Sequence, residues 1–282
     1  MQLGTAVCSG VEQPVVVDAA RGVVAVQDVW PDAPADLLTL ITSGVGPELV
    51  AVLDGLADDR FVDRAEVQFV APYRRPRKIW GIGLNYVDHA ADLSEVVPDE
   101  PASFIKGDHT IIGPGEAIPI PVQSERTTAE GELGVVIGRT CRHVSEGEAL
   151  AYVFGVTTVL DQTAEDILQR NPRFLTRAKN FPGFFSFGPT IMTLDEVAVT
   201  CRRLADLEVS TVVNGDQFRT NTVANMRYSP EFLISFHSAV MPLYPGDIIS
   251  TGTPGAIRIR PGDVVECRIP GLGNLVNPVV AG

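Results

Sequence analysis

Eight short runs, KIWGIGL, SFIKG, GELGVVIG, VFGVTTVL, TIMTL, EVSTVVNG, DIISTG and DVVECRI, constrain what this chain can fold into more than anything else in it. Each is too short to be a helix core, is mostly apolar or β-branched, and ends at turn-forming residues, the pattern of a strand. Helical patterns are fewer: Tyr86 to Leu93, Glu146 to Val153, Ala164 to Gln169 and Ser229 to Ala239. A doubly wound parallel sheet needs a helix between successive strands, and there are too few. The 26 glycines and 21 prolines fit many turns instead. The expectation is a β-rich α+β fold.

The first seventy residues read differently. VVVDAARGVVAV is two β-prone runs around a loop at Asp18 to Gly22, and APADLLTLITSG places Leu37, Leu38, Leu40 and Ile41 at helical spacing before a stop at Gly44. Pro72 and Pro76 then punctuate a basic stretch, FVAPYRRPRKIW. We expect a small N-terminal α/β unit over 1–72 and a larger domain over 73–282, with ample length for a core.

The net charge of −13 and pI near 4.7 exclude nucleic acid as an expected partner, since no basic patch answers its phosphates. An anionic substrate would need a local cation to overcome that field. Cys8, Cys141, Cys201 and Cys267 show no CxxC spacing, no run is long and apolar enough to span a membrane, and MQLGTAVCSG is not a secretory signal. A reduced, cytoplasmic setting is expected.

Four clusters could carry chemistry. In TTAEGELGVVIG, Glu130 and Glu132 lie two apart and project from one face of a strand. Such a pair either sits in solvent or needs a shared proton or a cation between the carboxylates. Asp161, directly after VFGVTTVL, is the natural third carboxylate, expected at a strand end, and three oxygen donors suit a hard cation better than zinc. In GLNYVDHAADL, His89 and Asp92 share a helical face and could activate a water, or could be an exposed pair. Lys179 and Arg177 precede the aromatic stretch FPGFFSFGP and could grip an anion or stay solvated. PGDIISTGTPG ends a strand in a turn whose amides and hydroxyls could serve a small anion.

Taken in order, IGLNYVDHAADL, FIKGDHTIIGPGEAIPIP, AEGELGVVIGR, VTTVLDQTAEDILQ, RAKNFPGFFSFGP, VNGDQFRTNT and LYPGDIISTGTPG resemble the fumarylacetoacetate hydrolase family from about Lys78 onward. The resemblance implies a mixed β-sandwich roll, commonly homodimeric, with Glu130, Glu132 and Asp161 as ligands for Mg²⁺ or Mn²⁺. It aligns His89 with a lid-helix histidine and Lys179 with a lysine facing the substrate, and puts Lys106 and Thr253 in pocket-lining segments. The implied activity is hydrolysis of a C–C bond in an acylpyruvate-like 2-oxo acid, or decarboxylation or isomerisation through a metal-stabilised enolate. The alternatives are dehydration of a 2-keto-3-deoxy sugar acid and a non-catalytic member. Three departures bear on substrate. Asp92 stands where hydrolytic and decarboxylating relatives often carry Glu, Glu165 and Leu168 stand where many carry Arg and Gln, and Pro182 occupies a position often held by Asp.

Overall fold

The computed structural model describes residues 1–44, 49, 52–53, 55–86, 98–201 and 203–282. Among these, the strands form two sheets. The main path of the larger, 13-stranded sheet runs Gly22–Ala25, Val11–Asp18, Gln2–Cys8, Thr190–Thr193, Val153–Ala164, Thr127–Ile137, Ile248–Ser250, Ile79–Gly83, Ala102–Lys106. The smaller, five-stranded sheet runs Asp216–Thr222, Glu208–Val213, Val264–Ile269, Gly273–Ala281, Ile118–Ile120. Pairing is mixed: Ile248–Ser250 is parallel to Ile79–Gly83 and antiparallel to Thr127–Ile137. The β-rich expectation holds.

The centre of the large sheet is the antiparallel pair Thr127–Ile137 and Val153–Ala164, in register from Val136↔Gly155 to Thr127↔Ala164. Every residue of the first strand is buried, so both of its faces are covered, which is why the run reads as nearly continuous apolar sequence. Leu133, Val135 and Ile137 pack between the sheets with Val265, Cys267 and Leu275. Val136 and Val159 look the other way and join Leu37 and Leu40 of the helix Leu37–Ser43. That helix begins where Asp36 accepts the Thr39 amide at 2.8 Å and ends at Gly44, whose φ of 83° only glycine adopts without strain.

The eight runs were read correctly in type, but the two central strands were read short. The run VFGVTTVL continues through Ala164, so Asp161 lies inside a strand, opposite Glu130, and not at a strand end as expected. Threonine at 163 and alanine at 164 lack the apolar bulk that marks a strand, but a ladder partner was available and decided the matter. The N-terminal hairpin, Val11–Asp18 with Gly22–Ala25, formed as expected, and Gln2–Cys8 joins the segment to Thr190–Thr193 in the large sheet. The helix expected at Tyr86 to Leu93, with His89 and Asp92, lies outside the described residues after Tyr86.

Candidate active site

Strand alternation builds the site. On one face of the central pair, Val136 and Val159 are apolar and covered by the N-terminal segment; further along the same face come Glu132, Glu130 and Asp161. One carboxylate oxygen from each of the three lies within 4.8 Å of the others, and all three side chains are buried.

Each carboxylate has its own set of donors. Glu132 accepts Ser250 Oγ at 2.5 Å and the Gly252 amide at 2.9 Å, both through Oε2. Glu130 accepts Thr163 Oγ1 at 2.5 Å and Thr128 Oγ1 at 3.3 Å through Oε1, and Lys179 Nζ at 2.9 Å through Oε2. Asp161 accepts Lys179 Nζ at 2.6 Å on one oxygen and Lys106 Nζ on the other. Lys106 also donates to the Gln162 carbonyl at 3.3 Å. An ammonium thus bridges Glu130 to Asp161.

The two lysines arrive on two neighbouring elements. Lys106 ends the edge strand Ala102–Lys106, and Lys179 ends the short helix Leu175–Lys179. Asn180 joins these two elements, accepting the Gly107 amide at 2.8 Å and donating to the Ile105 carbonyl at 3.1 Å. Lys179 Nζ sits 4.8 Å from the Phe104 ring, so its cation also has an aromatic wall. Gly81 makes room for that ring: a Cβ there would lie 2.3 Å from Phe104.

Electrostatics distinguish the groups. Burial pulls the Lys106 ammonium down to about 8 despite the opposing pull of Asp161. Lys179 is held above the ordinary lysine value, because Asp161 and Glu130 together outweigh its burial. Burial, reinforced by the Asp161 charge, raises the Glu132 carboxyl to about 8. Three carboxyl groups face two ammoniums, and among the described residues Glu132 is the one with no lysine bound to it, so its carboxylate form lacks a counter-ion that a proton or a cation would supply. An all-oxygen, carboxylate-rich donor set with an excess of negative charge fits a hard divalent cation, which could be held by Glu130, Glu132 and Asp161.

The turn read as a possible anion cradle behaves differently. Ser250 and Gly252 of PGDIISTGTPG serve the Glu132 carboxylate, a protein anion. Thr253, one residue on, is buried and its hydroxyl is engaged within the turn by Gly255. Arg177, at the other cluster, donates to Gln123 at 3.0 Å on the exposed surface and takes no part among the carboxylates. Thr163, Thr128 and Ser250 were not anticipated as site residues. The signal for Ser250 was available, in a hydroxyl two residues before a glycine amide at the end of a strand.

Residues 78–280 match the model of the fumarylacetoacetate (FAA) hydrolase C-terminal domain. This chain belongs to the fumarylacetoacetate hydrolase family. Oxaloacetate tautomerase Fahd2a, mitochondrial, of Rattus norvegicus is 34% identical over 267 residues, covering 92% of this chain and 84% of the rat protein. Maleylpyruvate hydrolase from Sphingobium sp. SYK-6, solved in complex with manganese(II) ion and pyruvate, superposes with a TM-score of 0.82 at 28% identity over 100% of both chains. 5-Carboxymethyl-2-hydroxymuconate delta-isomerase from Mycobacterium smegmatis gives 0.76 at 29%, again over 100% of both. The family's enzymes thus include a tautomerase, a hydrolase and an isomerase acting on small acids, and this member has an acidic triad that could hold a metal ion. Among the described residues, no helix is long and apolar enough to cross a membrane.

Proposed function

We propose that this family member is a divalent-metal-dependent enzyme, using Mg²⁺ or Mn²⁺, that generates an enolate from a small anionic 2-oxo acid. The observation that carries the proposal is the buried cluster in which two lysines face the Glu130, Glu132 and Asp161 carboxylates. A divalent cation held by these three residues would supply Lewis-acid stabilisation to the substrate's keto and carboxylate oxygens.

The chain's own groups do the rest. Lys179, cationic and fixed against Phe104, holds developing negative charge near Asp161. Lys106 closes the other side of Asp161 and keeps that carboxylate oriented. Ser250 and Gly252 hold Glu132 in one rotamer, so no reorganisation is needed when substrate arrives. His89, with Asp92 three residues on, is assigned the proton: to and from the carbon beside the ketone in tautomerisation, or from a water in hydrolysis of an acylpyruvate. Thr253 lies one residue beyond the Gly252 amide and lines the substrate side of the same turn. Tautomerisation of an oxaloacetate-like acid is favoured by the relative matched over nine-tenths of this chain, and C–C hydrolysis by the structural neighbour solved with pyruvate.

Proton NMR of oxaloacetate and acetylpyruvate with purified protein and Mg²⁺, with Glu132→Ala as control, tests the proposal. Accelerated keto–enol exchange of oxaloacetate in D₂O supports tautomerisation, and acetate plus pyruvate from acetylpyruvate supports hydrolysis. If neither reaction depends on both metal and Glu132, the enolate reading is wrong. His89→Ala should lower the observed rate about 10²- to 10⁴-fold, and a change within twofold removes His89 from the proton path.

A further inference from the structure

Gly131 sits between the two site glutamates, and its amide leaves its own sheet. On that flank of Thr127–Ile137 the strand Ile257–Arg258 pairs only with Ala129 and Thr128, and Ile248–Ser250 pairs only from Gly134 onward. The gap admits the turn that brings Ser250 and Gly252 to Glu132. It also strips the Gly131 N–H of a strand partner. That amide donates instead to Thr211 Oγ1, 2.9 Å away on the smaller sheet. Thr211 pairs in register with Cys267, whose thiol donates to the Glu132 carbonyl at 3.6 Å.

We propose that Thr211, assisted by Cys267, is a positioning residue for the metal ligands, clamping the peptide groups on either side of the Glu130 and Glu132 side chains from the opposite sheet. Both clamp residues are fully buried. The two sheets approach so closely here that a Cβ on Gly131 would lie 2.9 Å from Thr211 Oγ1 and 3.0 Å from the Ser210 carbonyl. The ladder between Glu208–Val213 and Asp216–Thr222 shifts register between Thr211 and Val212, so an irregularity lies beside the clamp, as is common where a sheet aims a particular side chain. With the Gly131 and Glu132 peptides pinned, the two carboxylates keep one spacing and one direction. Without the clamp, the stretch is held on one flank alone, by Val153–Ala164, and can twist about it.

This inference rests on the metal reading proposed above. The test is Mn²⁺ titration followed by the EPR signal of the free ion, on wild type, Thr211→Val, Thr211→Ser and Glu132→Ala, each at a temperature where the protein is folded. A core control, Val197→Ala, matches destabilisation at a distance from the site. The expected result is Mn²⁺ affinity at least tenfold weaker in Thr211→Val, within threefold of wild type in Thr211→Ser, and unchanged in Val197→Ala. If wild type and Thr211→Val bind Mn²⁺ equally while Glu132→Ala does not bind, the clamp is refuted and the metal reading stands. If wild type itself does not bind Mn²⁺, both fall. Should Thr211→Val not fold, Thr211→Cys, with a weaker acceptor, is judged by the same threshold.

Discussion

Lys179 touches both Glu130 and Asp161, so its removal takes away the ammonium that bridges these two buried carboxylates and leaves Lys106 on the far oxygen of Asp161. Lys179→Met keeps the stem and deletes the charge. Breaking a buried ion pair on one side costs about 3–5 kcal/mol, so the metal-free variant should lose stability on that scale in urea denaturation. A loss below about 1 kcal/mol would mean that the pair is not fixing these carboxylates. Ser250→Ala removes one of two donors to Glu132 Oε2, and it should weaken Mn²⁺ binding by about 10- to 100-fold with little change in the apo protein's melting temperature. At this scale the shared face of Glu130 and Glu132 was legible, because a two-residue spacing is a periodic fact, whereas Asp161 was joined to them by its place after an apolar run and by the family resemblance, its register opposite Glu130 emerging only in the fold. It was less legible for Thr163 and Ser250, since a hydroxyl beside a carboxylate leaves no periodic mark, only proximity after folding. The reading of Glu165 as a lost arginine also looks different in three dimensions: Arg126 donates to it at 2.7 Å and Gln169 at 2.8 Å, so the position carries its own local ion pair.

Among elements, the edge strand Ala102–Lys106 depends on what lies beneath it. Gly81 on the neighbouring strand pairs with Phe104, and the ring lies directly over it. Gly81→Ala should push that ring off its place beneath the Lys179 ammonium, with an overpacking cost of about 1–3 kcal/mol readable by chemical denaturation. The two central strands were legible because burial on both faces yields nearly uninterrupted apolar runs, and Val264–Ile269 because its burial alternates along the strand. The short helix Leu175–Lys179 was not: in five residues no apolar period repeats, and its place is fixed by tertiary bonds such as Asn180 to the edge strand. Asp161 was misplaced at a strand end for a related reason, since Asp161 and Thr163, near the strand's end, carry polar side chains that face the site.

For the whole molecule, His237 offers a pH test away from the carboxylates. It is buried in the helix Pro230–Val240, edge-on to Trp80 at 4.9 Å, and neither ring nitrogen has a hydrogen-bond partner among the described residues. Burial alone pulls its imidazolium down to about 4 from an ordinary 6.5. The folded form therefore binds that proton less readily than the unfolded chain. The stabilisation is complete above about pH 6.5, falls as pH drops through the interval, and has been lost by about pH 4, amounting to about 3 kcal/mol at most. Urea midpoints at pH 7.5, 5.5 and 4.5 should fall less steeply in His237→Leu than in wild type, and parallel profiles would show that His237 does not titrate this way. Metal acts at the same scale: Mn²⁺ at 100 times its dissociation constant should add about 2.7 kcal/mol to global stability, and Glu132→Ala should abolish the gain.

The pairing of Gln2–Cys8 with Thr190–Thr193 also sets an order of events on the ribosome. At about 5–20 residues per second, the first strand waits on the order of 10–40 s for its partner to be synthesised. Until then it can pair with Val11–Asp18 along its whole length, which covers one of its two edges, while the edge at Gln2 to Gly4 stays open to other chains until Thr190–Thr193 arrives.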